Sequence, residues 1–359
     1  RLFWERWGAW LDQREVRAPG GGLRIVYVTE ATGVGGGHRV VFQHLLALHE
    51  AGHDVELWSL EGRPDWFDLG PIEVRTFAGY DELERELEPL EAIKVATWWV
   101  TAEVVWRASV RHGIPVYFVQ DIESSYYAAD PETAARALDS YRQEFRVLTT
   151  SSWNAERLRE LHIAATIVAP GVEEHRFFVR DDVERRADVV LALGRTDPLK
   201  DFALTRRAWD RLAGPPPELW LFGIEPQLAD APGIRHVQRP SDAEVNELLN
   251  TATVFVQTSR HEGFCLPILE AMAAGLPVVC TDADGNRDFC VDGVNCVMPA
   301  ATAEAVAGAI ARLLDDAALR ERLAAAGRAT AREHRWARRA AELDAFYRSL
   351  APAPARADA

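Results

Sequence analysis

Short apolar runs alternate with longer amphipathic stretches through most of this chain. Leu23 to Thr29 (LRIVYVT) is a continuous apolar run, the pattern of a strand buried on both faces of a parallel sheet. The segment Gly33-Val34-Gly35-Gly36-Gly37 follows, then a helix from His38 to about Glu50 stopped by Gly52, then a strand from Asp54 to Trp58. That is a βαβ unit. Ala92–Trp99, Val116–Val119, Val147–Thr150 and Ala165–Val168 read as further strands, separated by helix-like stretches. A second series begins at Val189–Leu193 and continues through Glu218–Phe222, Ile234–Val237, Val254–Gln257 and Val278–Cys280. Thr302–Leu314 and Ala317–His334 are Ala-rich and amphipathic, with Thr302 as N-cap of the first, and a last helix spans about Arg335–Leu350. The fold class is α/β.

The two series imply two domains, which a chain of 359 residues can supply with large cores. The expected boundaries are 1–171 and 188–334, joined by the charged, aperiodic segment 172–187 as linker, with 335–359 as a final helix and frayed tail. Residues 1–17 place Phe3, Trp7, Trp10 and Leu11 at helical spacing. Such a helix either docks on its own protein or lies at a membrane surface as a peripheral anchor. The mixture of Glu, Asp and Arg on its polar face favours docking.

Charge narrows the partners. A formal net charge of −15 argues against a general nucleic-acid binder and against anionic membranes, since phosphates attract basic surfaces. No apolar run reaches the roughly 18 residues a spanning helix needs, and no leader with an apolar h-region is visible, so a cytoplasmic location is expected. The four cysteines (Cys265, Cys280, Cys290, Cys296) lack C-x-x-C spacing and a completing His cluster. They read as reduced thiols, and no metal set is expected.

Chemistry concentrates where predicted strands end. After Thr253–Gln257 comes Ser259-Arg260-His261-Glu262-Gly263-Phe264-Cys265-Leu266-Pro267-Ile268-Leu269-Glu270-Ala271, read as a loop opening into a helix that starts near Pro267 and stops at Gly275. Open α/β sheets bind ligands in such loops. The backbone N–H groups of Phe264, Cys265 and Leu266 suit a phosphate, and the carboxylates Glu262 and Glu270 suit sugar hydroxyls, because a carboxylate only accepts hydrogen bonds. After Val189–Leu193, the loop Gly194-Arg195-Thr196-Asp197-Pro198-Leu199-Lys200-Asp201 offers a guanidinium fork and an ammonium for a diphosphate. The early glycines are not a dinucleotide fingerprint. His38 stands where the third Gly of G-x-G-x-x-G belongs, and Leu57-Trp58-Ser59 lacks the acidic ribose ligand.

The stretch from Ser259 to Ala271 resembles the E-x7-E signature of the retaining glycosyltransferases of family four (glycosyl transferases group 1). The resemblance is good across the second half of the chain and looser in the first. It implies the GT-B fold, two Rossmann-like parallel-sheet domains facing a central cleft. It implies Glu262 beside the donor sugar, Glu270 on the ribose, and Gly194-Arg195 with Lys200 on the diphosphate. By the same resemblance Gly35, Gly36 and Gly37 approach the donor phosphates or the acceptor. Two positions depart from the family: Cys265 stands where the second Gly is usual in Gly-Phe-Gly-Leu-Pro, and Asp201 stands where the Gly of Lys-Gly is usual. Asp288 occupies the place of a family acid after Asp284-Gly285-Asn286-Arg287. Gln120-Asp121-Ile122-Glu123 looks like bacterial cell-surface polysaccharide transferases, including rhamnosyltransferases. Asp121 then binds a sugar hydroxyl; capping the following turn is the alternative for the same residue.

The implied function is metal-independent transfer of a hexose or deoxyhexose from a dTDP-, UDP- or GDP-linked donor to a glycan or lipid-linked glycan. The nucleotide sugar is substrate and no cofactor is expected. Two alternatives share the fold: a nucleotide-sugar epimerase, and a catalytically silent scaffold subunit of a glycan-assembly complex.

Overall fold

The computed structural model describes residues 5–6, 16–18, 20–226, 228 and 231–351. The aromatic helix expected over 1–17 and the tail beyond 351 lie almost wholly outside those residues. The chain divides into two compact units, one running to Ala169 and taking in the residues from Arg339 onward, the other Pro170–Arg338.

The first unit runs β1 (Arg24–Thr29), α1 (Gly36–Glu50), β2 (Asp54–Ser59), β3 (Glu73–Thr76), α2 (Tyr80–Leu87), β4 (Ile93–Ala96), α3 (Trp99–Ala108), β5 (Ile114–Val119), α4 (Pro131–Asp139), β6 (Arg146–Thr149), α5 (Ser152–Glu160) and β7 (Ala165–Ile167). Its seven strands are parallel, in the order β3-β2-β1-β4-β5-β6-β7. The inner strands are mostly apolar, the pattern of a parallel sheet buried on both faces, although β2 carries Glu56 and β4 carries Lys94. β5 is buried at every position. At the sheet edge the pattern fails. β3 (EVRT) is only partly buried, so no apolar run announced it.

The second unit runs β8 (Val189–Leu193), α6 (Phe202–Trp209), β9 (Glu218–Gly223), β10 (Ile234–Gln238), α7 (Asp242–Thr251), β11 (Val254–Gln257), α8 (Leu266–Ala273), β12 (Val278–Cys280), α9 (Ala303–Asp315) and α10 (Ala317–Glu333), and α11 (Trp336–Leu350) leads out of it. Its five strands are parallel, in the order β10-β9-β8-β11-β12. Val190, Ala192, Leu221, Val256, Val306, Ile310 and Leu323 belong to its core. In each sheet the strand order reverses at one point, between β1 and β4 and between β8 and β11, which is where open α/β sheets place ligands.

Residues 172–187 are not a free linker. They belong to the second unit. Phe177 is buried, the Phe178 and Arg180 amides donate to Asn246 and Asn250 on α7, and Arg185 donates to the carbonyls of Leu249, Ala252 and Ala274. Charge without period looked like solvated chain, but here the charges close off helix ends. The chain enters and leaves this unit side by side, since Val172 N–H donates to His334 O and Trp336 N–H donates to Val172 O.

α11 completes the first unit. Tyr347 Oη lies 2.7 Å from Tyr27 Oη, which lies 3.0 Å from His44 Nδ1. Burial keeps His44 neutral, with its pKa pushed down to about 3. His53 Nδ1 accepts from the Leu23 amide, so its Nε2–H donates to Asp344 Oδ1 at 2.7 Å. Burial pushes the Asp344 carboxyl up, but hydrogen bonds from Arg348 and His53 outweigh it and hold the group below the ordinary carboxylate value. A depressed pKa stabilises the fold fully above the unfolded value, near about pH 4, and less as pH falls through the folded value. Asp344→Ala is expected to cost about 1–2 kcal/mol at neutral pH. Urea unfolding of parent and variant should give curves that converge toward about pH 3, and a gap of constant size would remove the ion pair as its cause.

Candidate functional site

The two loops flanking the switch point of the second sheet meet at one ion pair. Lys200, in the loop after β8, donates to Glu262 Oε2 at 2.7 Å, in the loop after β11. Glu262 Oε1 accepts from Gln257 Nε2 at 2.9 Å and Ser259 Oγ at 2.7 Å. The backbone of Glu262 is held as well: its amide donates to Ala283 O and its carbonyl accepts from the Gly285 amide, both at 3.0 Å. Glu262 is 8% exposed. Burial lowers the Lys200 ammonium, but the Glu262 carboxylate outweighs it and raises the pKa above the ordinary lysine value, so the cation is retained at neutral pH.

Sequence reading assigned Lys200 to a diphosphate and Glu262 to sugar hydroxyls, each as a group facing ligand. The structure instead gives each an internal partner. A partly buried ammonium needs a counter-charge, and the nearest strand end supplies it. Arg195 also pairs with an acid, its Nε 3.0 Å from Glu225 Oε1, but as an ion pair without a hydrogen bond. Its two terminal nitrogens have no partner among the described residues, so one edge of the fork stays available to an anion. Glu225 lies after β9, and no motif in the sequence drew attention to it.

Gly194 earns its place by packing: a Cβ there would lie 2.9 Å from Leu228 Cδ1, and a Cβ at Gly223 would lie 2.3 Å from Gly194 O. Asp201 takes a left-handed conformation (φ 40°, ψ 46°), caps α6 through Leu204 N–H and accepts from Arg260 Nε at 2.7 Å. Asp tolerates that region better than most residues, which is why it stands at a glycine-like position.

Cys265 also takes a left-handed conformation (φ 87°, ψ 63°) as the N-cap of α8. Pro267 therefore falls within the first turn. The thiol is buried and close enough to Glu262 and Lys200 to feel their charges; burial, then Glu262, push its pKa well up. Phe264 packs on Phe289 and His334 at ring separations of 5.0 and 6.1 Å, and Leu266 is buried, so these two serve the site through backbone only. Glu270 sits half-buried on α8.

The turn after β12 belongs to the same construction. His261 Nδ1 lies 2.8 Å from Asp284 Oδ2, and Asn286 ties Ala283 N–H to Thr281 O. A Cβ at Gly285 would lie 2.3 Å from Gly263 O. Only glycine permits that approach, so this is more than a connecting turn. Folding also gathers Cys280, Cys290 and Cys296, whose Sγ atoms all lie within 4.8 Å of one another. That revises the expectation of no metal-ligating set; the spacing hid it because the three come from different segments.

In the first unit, α1 starts at Gly36, with Gly35 extended at φ −176°. The glycines therefore do not form a long loop. Gly37 packs against Gln120, since a Cβ there would lie 3.2 Å from Gln120 Oε1, whereas a Cβ at Gly36 would meet nothing within 4 Å. Asp121 is 6% exposed and accepts from Tyr126 Oη at 2.6 Å and from the Ile122 amide at 2.7 Å. Glu123 is interior: it accepts from the Trp99 amide at 2.6 Å and Tyr117 Oη at 3.0 Å, and burial raises its pKa well above the usual range. Trp99 opens α3 rather than ending β4, and Trp98 stacks on Tyr126 at 6.0 Å.

Residues 180–330 match the family model described as Glycosyl transferases group 1. Among curated relatives, the D-inositol 3-phosphate glycosyltransferase of Stackebrandtia nassauensis is 27% identical over 293 residues, covering 70% of this chain and 66% of that protein. The match thus spans just under two thirds of that relative's length. The phosphatidyl-myo-inositol mannosyltransferase of Mycobacterium leprae is 35% identical over 136 residues, 36% of each chain. Among solved structures, a sucrose-phosphate synthase from Thermosynechococcus elongatus aligns with a TM-score of 0.79 at 20% identity, covering 91% of this chain and 98% of that one. Anabaena HepE, in complex with UDP-glucose, aligns at 0.75 and 16% identity, covering 91% and 99%. Two Rossmann-like units of this kind are the GT-B fold.

Within the matched segment the Cys265 backbone tests how rigidly the loop is held. A β-branched residue at positive φ is strained, so Cys265→Val is expected to lose about 1–3 kcal/mol, while Cys265→Gly stays within about 1 kcal/mol of the parent. Urea denaturation measures both, and a Val variant as stable as the parent would mean the left-handed cap relaxes freely.

Proposed function

We propose that this chain moves a hexose or deoxyhexose from a nucleotide-diphosphate sugar to a hydroxyl of a glycan or lipid-linked glycan, with retention at the sugar carbon. The observation that carries this reading is the Lys200–Glu262 pair at the carboxyl ends of β8 and β11, with Arg195 presenting the free edge of its fork from the same loop as Lys200. That is where a doubly wound sheet takes a ligand, and the charges suit a diphosphate joined to a sugar. HepE in complex with UDP-glucose, a protein of similar fold, supports the donor class.

Charge builds on the diphosphate as the bond from the sugar carbon to the phosphate oxygen breaks. Preorganised cations aimed at that charge are the largest single aid to such a step, and Arg195, Lys200 and the amides of Phe264 to Leu266 fill the role. Lys200 arrives already oriented by Glu262, so it needs little reorganisation. Glu262 then borders the sugar and Glu270 takes the ribose. The acceptor oxygen bonds to the sugar carbon on the face the phosphate leaves, and its proton passes to the departing phosphate oxygen. The balance closes without a metal ion or an enzymic nucleophile. Asp121 and Gly35–Gly37, in the first unit, serve the acceptor or the donor phosphates. Rhamnose on dTDP heads the candidate donors, ahead of UDP- and GDP-linked hexoses.

A thermal-shift screen of nucleotide sugars identifies the donor, since a ligand at about 100 times its dissociation constant adds about 2.7 kcal/mol. Glu270→Ala should then weaken donor affinity by about 1.5–3 kcal/mol in calorimetry, the worth of a hydrogen bond to a charged group. Lys200→Ala and Arg195→Ala should cut turnover at least about 100-fold. Unchanged donor affinity in the first, or parental turnover in the others, removes the residue from its role. Nucleotide released only when a glycan is present separates transfer from epimerisation, and binding without turnover on any acceptor marks a silent subunit.

A further inference from the structure

Beneath the carboxylate site lies a cluster that the proposed transfer does not use. Cys280 ends β12, Cys290 follows the short turn Gly285–Asp288, and Cys296 pairs back on Asp292 just before Val297 bridges to Val279. The three are 0%, 6% and 0% exposed, and their Sγ atoms lie within 4.8 Å of one another. Sulfurs from separate segments thus converge on one buried point.

We propose that Cys280, Cys290 and Cys296 form a trithiolate site for a single thiophilic d10 metal ion of the zinc or monovalent copper kind. The spacing fits: three sulfurs about 2.3 Å from a zinc ion in a plane stand about 4.0 Å apart, within the observed limit. The ligand set selects the ion class, because soft thiolates favour zinc and monovalent copper, whereas magnesium and calcium want oxygen. Binding is a proton exchange. Each thiol gives up its proton as its sulfur bonds the metal, so one ion enters and three protons leave, with no change of oxidation state. The ion cross-links β12 to the turn that carries Asp284 and Gly285, the partners of His261 and Glu262. Its role is structural and separate from transfer.

The test uses the full chain, reduced and stripped of metal, and reads no activity. Zinc, and separately monovalent copper, is titrated in and followed by native mass spectrometry. The expected product carries one ion per chain. Cys290→Ala and Cys296→Ala should each weaken binding by more than about 100-fold, the upper range for loss of a mere supporting contact, while Cys265→Ala keeps the ion. The unfolding midpoint of the parent should rise with the ion, and that rise should vanish in the two variants. No adduct on the reduced parent overturns the proposal, as does an adduct that both variants retain. Oxidation by peroxide to a disulfide in a protein that holds neither ion overturns it too. The parent measurement stands even if a variant fails to fold.

Discussion

An ammonium and a carboxylate, each largely withdrawn from water, hold the loops on either side of the second sheet's switch point. Lys200 and Glu262 cannot be separated cheaply, because removing one leaves the other charged and desolvated. Their geometry is over-determined. Gln257 and Ser259 fix one carboxylate oxygen, Lys200 fixes the other, and the turn after β12 grips the Glu262 backbone. Three strand ends therefore meet at one side chain. The left-handed caps at Asp201 and Cys265 follow from this constraint, since the chain must turn sharply into α6 and α8 immediately after reaching it. Backbone strain at such points persists only where surrounding contacts outweigh it.

How much of this was legible depended on what each residue contacts. Buried parallel strands are mostly apolar, so β1, β5, β8 and β11 stood out; β3, an edge strand with three polar side chains, did not. Strand ends carrying Gly-Arg and Glu pairs pointed to the site, and the Glu262 and Lys200 loops do meet. What escaped notice was tertiary. Glu225 reaches Arg195 from a different strand, and Gly285 looks like any turn glycine until the chain beside it is seen. The three sulfurs share no spacing rule. Residues 172–187 misled because Arg185 caps helix ends and Phe177 is buried, neither of which a charged, aperiodic stretch announces.

The polar end of β5 shows how one short motif divides into different tasks. Gln120, Asp121 and Glu123 are near neighbours in sequence, yet Glu123 is turned inward to hold the start of α3 and Tyr117, while Asp121 reaches Tyr126 beside the stacked Trp98 ring. Gln120 fills the space that the missing side chain of Gly37 leaves. Both acids are buried, so it is the partners each one reaches that separate their tasks.

The first unit takes its last helix from the far end of the chain, through Tyr347 and Asp344, whereas the second is contiguous. During synthesis, then, the ribosome delivers every residue of the second unit before it delivers the piece that closes the first. The usual order, in which earlier domains finish earlier, is reversed. The nascent first sheet must wait, its Tyr27 and His53 without their partners on α11, until that helix has been made.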